Sequence, residues 1–497
     1  MRKIKTSDTI CNSGEVLDDC HEESQQTLKV NINNYFLSRL CILKLPNDTN
    51  NLNSTSKRTK RIVLAICTIA SICSPFQTSI ILPAISEIKD YYNTTSGKVN
   101  DSVGVYLLAL GIFPLYHSSL SEKFGKRPVY IFAFLGFSIM CLLGCVASPT
   151  IDSFIGIRFL CGGFGSCVQT LGIGSVADLY EPDERGFAIG IFYLGSLTAP
   201  LAAPIIGAIL CDFLGWKSTQ WFMLGLSFVV LVTVILFLPE TSIKAIYRFQ
   251  NRETKHVTNR FNIFRFLINY FINPWKILIF LSYPPFLISC LSASVASAMV
   301  YYSNIILATK LLMDPYKFKE VYVGLCYLPI SVGFVIAAII GGRYVDNRIK
   351  KYKENNNGIL SPQARLSYNI VVAVILLPIG MLLEGWSFEY NVIWPVPLIG
   401  SFFLGAGSML FIGAVSSYLT DEFDGSSKGV ALNNLCRQSS NAVACFTTVK
   451  ATKNMGIGYF CVLISSISVI SGSLVLIFKK KKEPFNKEKV FDLYNKI

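Results

Sequence analysis

After a polar opening stretch, the chain runs as a series of long apolar segments separated by short polar ones. The segments lie at about 62–84, 102–119, 129–147, 152–176, 186–209, 219–239, 279–303, 320–341, 367–384, 391–415, 429–449 and 456–478. A helix needs about 20 apolar residues to cross the hydrocarbon core of a bilayer. The pattern therefore predicts an all-α integral membrane protein with twelve transmembrane helices. Residues 1–61 are polar and end in Lys57-Arg58-Thr59-Lys60-Arg61, which reads as a disordered cytosolic tail. Its 30–45 stretch carries enough Phe, Leu and Ile to lie along a membrane surface. Residues 479–497 form a basic cytosolic tail.

The longest polar connection, 242–278, divides the spans into two sixes, 62–241 and 279–478. Within it, 261–270 places apolar residues at helical spacing, as a surface helix would. The two sixes echo each other. Ser118-Ser119-Leu120-Ser121-Glu122-Lys123 follows span two, and Gly342-Arg343-Tyr344-Val345-Asp346-Asn347 follows span eight. Arg185-Gly186-Phe187-Ala188 opens span five, and Lys428-Gly429-Val430-Ala431 opens span eleven. Two echoes in corresponding loops predict a duplicated unit, hence two six-helix bundles.

Composition agrees with a lipid solvent. The 497 residues are 52% hydrophobic and 15% charged, with a mean hydropathy of +0.47. A soluble domain carries about 25% charged residues. A water-soluble enzyme, a disordered scaffold and a secreted mini-protein are excluded. The net charge of +14 could point to nucleic acid, but its distribution follows the membrane. With both termini in the cytosol, inner segments hold 35 Lys and Arg and outer loops 8. That asymmetry is the positive-inside rule, so no nucleic-acid partner is expected. The remaining two, Arg158 and Arg437, lie within spans. The 15 cysteines form no CxxC pair, and most fall in or beside apolar runs, so neither a disulfide framework nor a metal site is expected. The first apolar run begins too late for a cleavable signal peptide and reads as an uncleaved signal-anchor.

Three stretches carry chemistry. Leu120-Ser121-Glu122-Lys123-Phe124-Gly125-Lys126-Arg127-Pro128 sets a tight turn at Gly125, with Lys123, Lys126 and Arg127 facing anionic lipid. Glu122, with Asp346 in the matching loop, is a candidate gating latch. Arg158 opens Arg158-Phe159-Leu160-Cys161-Gly162-Gly163 in span four, where a buried cation is expensive and usually functional. Span five carries Gly195, Ala199-Pro200, Ala203-Pro204 and Gly207-Ala208 at regular spacing. Small residues let helices approach and prolines bend them, as a rocking interface requires. The alternatives are an ordinary positive-inside loop for the first, a structural arginine bonded to backbone carbonyls for the second, and ordinary helix packing with kinks for the third.

Together these stretches resemble the major facilitator superfamily. The loop resembles its G-x-L-[SA]-D-R-x-G-R-[RK] signature, with Ser118 and Glu122 standing in for Gly and Asp. The span-four run is similar to R-x-x-Q-G, with Cys161 for Gln. Span five looks like the antiporter signature, with alanines in several glycine places. Gly215-Trp216-Lys217, Leu238-Pro239-Glu240-Thr241, Gly324–Pro329 and Ala431-x-x-Asn434-x-x-Arg437 extend the likeness to fungal twelve-span drug:proton antiporters, near the quinidine-resistance and spore-wall dityrosine transporters.

The resemblance implies a secondary active exporter of small organic compounds, working by alternating access and proton antiport. Alternatives are an exporter dedicated to dityrosine or polyamines and a non-transporting nutrient sensor. A membrane-embedded enzyme is disfavoured by the three histidines. No cofactor beyond the proton gradient is implied. Expected partners are a small organic substrate, protons and membrane lipid, with the protein a monomer. The expected location is the plasma membrane, with the prospore or vacuolar membrane as alternatives. No Asp or Glu falls in the middle of a predicted span. Arg158 is therefore assigned as electrostatic partner, Asp178 as proton-linked acid and His117 as a titratable switch. A helix-end carboxylate and an interfacial histidine remain their alternatives. Phe76, Gln77, Tyr106, Tyr301, Tyr302, Asn434 and Arg437 are candidate cavity residues. Asn93-Thr94-Thr95 is a candidate glycosylation sequon.

Overall fold

The computed structural model describes residues 41–42, 55–180, 182–242, 273–355, 366, 368–422 and 427–480. The 261–270 segment and most of both tails lie outside them. Span one is the helix Lys57–Ser79, begun by Ser56, whose hydroxyl accepts from the Thr59 N–H at 3.2 Å. The basic run that closed the predicted tail is thus the first turn of span one. A short helix, Ile85–Tyr91, follows. Spans two and three are Ser96–Phe124 and Lys126–Val146. Span four is two helices, Ile151–Gly165 and Cys167–Leu179, broken at Ser166. Thr150 and Ser153 form a capping box at its start. Spans five and six are Pro182–Leu214 and Lys217–Phe237.

A 3-10 helix, Asn273–Ser282, leads into span seven, Pro284–Leu312. Span eight is Glu320–Cys326 and Leu328–Asn355. Spans nine to twelve are Tyr368–Glu389, Pro395–Glu422, Ser427–Met455 and Ile457–Lys480. Among the described residues, eleven spans are long and apolar enough to cross a membrane, and span eleven is long but polar. Its Asn433, Gln438, Asn441 and Thr448 are buried against protein. Interior placement spares them the lipid, which explains how so polar a helix can span.

The packing repeats. In the first bundle span one lies against five, two against four, and three against both four and six. In the second, seven lies against eleven, eight against ten, and nine against both ten and twelve. The bundles meet where two faces eleven and five faces eight. In the apolar stretch of span seven 72% of the residues are buried, against 33% in those of six and twelve, so the latter are peripheral. Phe132, Phe213, Tyr459 and Ile470 point outward, the side-chain chemistry lipid accepts.

Span one starts and span twelve ends at one face, called here the terminal face. One hydrophobic core runs through the second bundle and into the first from the opposite face, from Ile80 and Ile88 to Leu311 and Tyr327. A second, separate core fills the terminal-face half of the first bundle, from Val63 and Tyr130 to Val176 and Leu238. The bundles therefore share apolar packing chiefly away from the terminal face.

Candidate functional site

Arg158 stands roughly 10 Å along span four from Ile151, at 1.5 Å per residue. Its side chain is buried. Nη1 donates to the Gln77 carbonyl at 3.1 Å, and the guanidinium lies over the Tyr106 ring, 4.5 Å from its centroid. Tyr106 donates to the Ser74 carbonyl at 2.9 Å. The Gln77 amide donates to Gln220 Oε1 at 2.9 Å, bringing in span six. A desolvated cation gains most from a ring face and backbone carbonyls, and Arg158 takes both. Among the described residues, its Nε and Nη2 have no hydrogen-bond partner. These groups give the site a fixed positive charge with donors to spare.

Across the bundle interface, Arg437 donates to Asn434 Oδ1 at 3.2 Å, and Asn434 donates to the Leu110 carbonyl of span two at 3.3 Å. Tyr193 and Tyr301 lie within electrostatic range of Arg437. Spans two, five, seven and eleven thus converge there. Tyr302 turns instead toward Thr447 and Phe460, its ring edge-on to Phe460 at 5.1 Å. Phe76 stacks on Phe222 at 5.8 Å, so it faces span six. Of the seven cavity candidates, Gln77 and Tyr106 serve Arg158, while Tyr301, Asn434 and Arg437 gather at the interface.

At the terminal face, Gly125 separates spans two and three with φ +90° and ψ 160°. Glu240, just past span six, accepts from the Lys126 and Arg127 N–H groups at 2.9 and 3.0 Å. It therefore caps span three with a carboxylate, where the helix dipole favours one. Burial pushes the Glu240 carboxyl above its usual range, opposed by the N–H groups of Ser242, Lys126 and Arg127. Lys126 Nζ pairs with Asp178 Oδ2 at 2.5 Å, and Arg127 donates to the Ile235 carbonyl at 2.6 Å. The expected pairing of Asp178 with Arg158 is not made: Asp178 is half-exposed at the end of span four and held by Lys126. His117 is buried and bonds through Nε2 to the Gly163 carbonyl at 2.9 Å, joining spans two and four. Lys123 is exposed. The Glu122 and Asp346 side chains, candidate latches, lie outside the described ones.

The profile of the Major Facilitator Superfamily matches residues 67–445. The chain belongs to the major facilitator superfamily. The MFS antiporter QDR3 of Candida albicans is 32% identical, covering 88% of this chain and 80% of its own. Quinidine resistance protein 3 of Saccharomyces cerevisiae is 31% identical, covering 87% and 84%. The D-xylose-proton symporter has a TM-score of 0.64 at 15% identity, covering 86% of this chain and 98% of that one. At that identity the likeness is one of fold. As a superfamily member the chain is a multi-pass membrane transporter and not an enzyme.

In this superfamily member, the span-five signature does two jobs. A Cβ at Gly195 would meet the Thr68 carbonyl, and one at Gly207 the Ile80 carbonyl, so both glycines let span one lie directly alongside. The prolines face the other bundle: the Pro200 carbonyl accepts from Ser331 of span eight at 2.9 Å, and a Cβ at Gly324 would lie 2.8 Å from the Pro204 carbonyl. Asn93 is exposed at a turn with φ +48°.

Two groupings escaped the sequence reading. Glu87, Cys211 and Glu320 bring their ligand-type atoms within 4.8 Å of one another at the face opposite the termini. They come from the short helix, span five and span eight, too distant in the chain for any motif. The other is Glu384. The hydropathy pattern places Glu384 at the edge of a span, whereas the helix carries on past it to Glu389, so the acid lies inside it. Apolar runs stop at the first acid, whereas backbone hydrogen bonding does not. Glu384 is 1% exposed. Ser303 of span seven donates to it at 2.6 and 2.8 Å, and Ser401 of span ten at 3.0 Å.

Proposed function

We propose that this transporter exports small organic compounds by alternating access, exchanging them for protons. The observation that carries the reading is the near-full-length similarity to proteins named MFS antiporter QDR3 and quinidine resistance protein 3. The closed, core-sharing face opposite the termini supports it, because alternating access needs one face packed while the other parts. The excess of Lys and Arg on the terminal side supports placing that face in the cytosol. The structure then corresponds to a state shut toward the outside. The proton gradient is the energy source, the plasma membrane the location, and a monomer the working unit.

Quinidine is the first probe. In reconstituted vesicles, an imposed pH gradient should accelerate quinidine movement, and a protonophore should abolish the acceleration. Gradient-independent movement would remove the antiport part of the reading. Binding without movement would favour a sensor.

A further inference from the structure

We propose that Glu384, clamped between Ser303 and Ser401, is a proton-binding site in the second bundle. The role in coupling rests on the antiport reading; the proton site does not. Glu384 lies on span nine, about 8 Å along the helix from its end at Glu389. It touches span seven through Ser303 and span ten through Ser401, and both serines are fully buried. Among the described residues it has no ion pair. The other titratable groups facing it are the Tyr327 phenol at the break in span eight and the Cys461 thiol of span twelve. Tyr327 directs its hydroxyl to the Asn304 carbonyl at 3.0 Å. Glu389 lies on the same helix and is engaged with span twelve, accepting from Ile457 and Gly458.

An ionised carboxylate offers about four acceptor sites, and two hydroxyls fill only part of them. A buried charge with no counter-cation is disfavoured, and a proton removes it. The surroundings are built to take that proton. Ser401 Oγ lies 3.0 Å from Glu384 Oε2 and 3.2 Å from the Pro397 carbonyl. In the neutral form the new Oε2–H bond donates to Ser401 Oγ, and the Ser401 hydroxyl turns to Pro397. Ser303 continues to donate to Oε1 at 2.8 Å. When the proton leaves for water, the Ser401 hydroxyl swings back to Oε2. One hydroxyl rotation accommodates both states without moving a heavy atom.

Ser303 also connects the site to transport geometry. It follows Tyr301 and Tyr302 on span seven, the most buried of the eleven apolar spans among the described residues, which packs against nine, ten, eleven and twelve. A charge appearing at Glu384 therefore favours any arrangement of spans seven, nine and ten that admits water. That differential stability is what links a proton to a conformational change.

The test reads the proton directly. In pH-difference infrared spectra of the protein reconstituted in lipid, the wild type should show a protonated-carboxyl C=O band that titrates. Glu384→Gln should lack that band, and Ser303→Ala should shift it upward by removing its donor. Wild-type bands retained in full by Glu384→Gln would overturn the proposal. The Ser303→Ala shift keeps the outcome readable if Glu384→Gln is poorly folded, since an unmoved band also overturns it. In vesicles, Glu384→Gln should keep quinidine counterflow but lose acceleration by the pH gradient. An assigned band in a wild type insensitive to the gradient would leave the proton site standing and sink antiport. A gradient response retained by Glu384→Gln would sink its coupling role.

Discussion

Replacing Gly125 with alanine tests the junction of spans two, three and six. At φ +90° and ψ 160° the residue occupies a region open essentially to glycine, and a side chain there costs about 1–3 kcal/mol. The added Cβ would also lie 2.5 Å from Glu240 Oε2 and 2.9 Å from its Cδ. Glu240 must then withdraw from the Lys126 and Arg127 N–H groups it caps. Loss of a cap is worth about 0.5–2 kcal/mol. The two effects together predict a loss of about 1.5–5 kcal/mol. The measurement is the apparent melting temperature of the purified protein in detergent. Gly156→Ala is the control, because nothing lies within 4 Å of a Cβ there and alanine favours a helix. Gly125→Ala should melt well below wild type and Gly156→Ala at or above it. A double-mutant cycle with Glu240→Ala isolates the collision. In that background the Gly125→Ala penalty should shrink to the backbone part. Equal melting of Gly125→Ala and wild type, or strict additivity in the cycle, would refute the reasoning.

Arg158→Lys, expressed at wild-type levels, should lose at least about tenfold in quinidine efflux, since an ammonium cannot both cover Tyr106 and reach the Gln77 carbonyl as the planar guanidinium does. Full activity would remove Arg158 from the mechanism. Glu240 should impose a pH dependence on stability. Its folded-state affinity for a proton exceeds the unfolded one, so its contribution falls as pH rises from the ordinary carboxylate range through the folded value, then levels off. The wild-type melting temperature minus that of Glu240→Gln, measured across pH, should follow that course; a rise with pH would contradict it. Glu320→Gln should relieve repulsion with Glu87 and hold the opposite face shut. Labelling of Cys211 by an impermeant maleimide should then slow several-fold, and unchanged or faster labelling would exclude a gating role.

The span pattern was legible because a bilayer imposes a length and an apolar composition on every crossing helix. Span eleven shows the limit of that signal. Its polarity is tolerable only because spans two and seven cover it, and coverage is a tertiary fact. Glu240 illustrates the same divide. Its sequence neighbours mark the end of span six, but only packing brings it to the start of span three.

Local chemistry in the sequence determined the span pattern, the charged loops, the turn at Gly125, the small-residue and proline spacing of span five, and the buried Arg158. Each follows from a residue and its near neighbours. Partners separated by many helices were decided by the tertiary structure alone. It gave Asp178 to Lys126 rather than to Arg158, and Arg158 to Gln77 and Tyr106. It brought Glu87, Cys211 and Glu320 together across two bundles. It placed Glu384 inside a helix between two serines. Hydropathy reports what a residue prefers as a solvent, and only the packed helices decide which side chains meet.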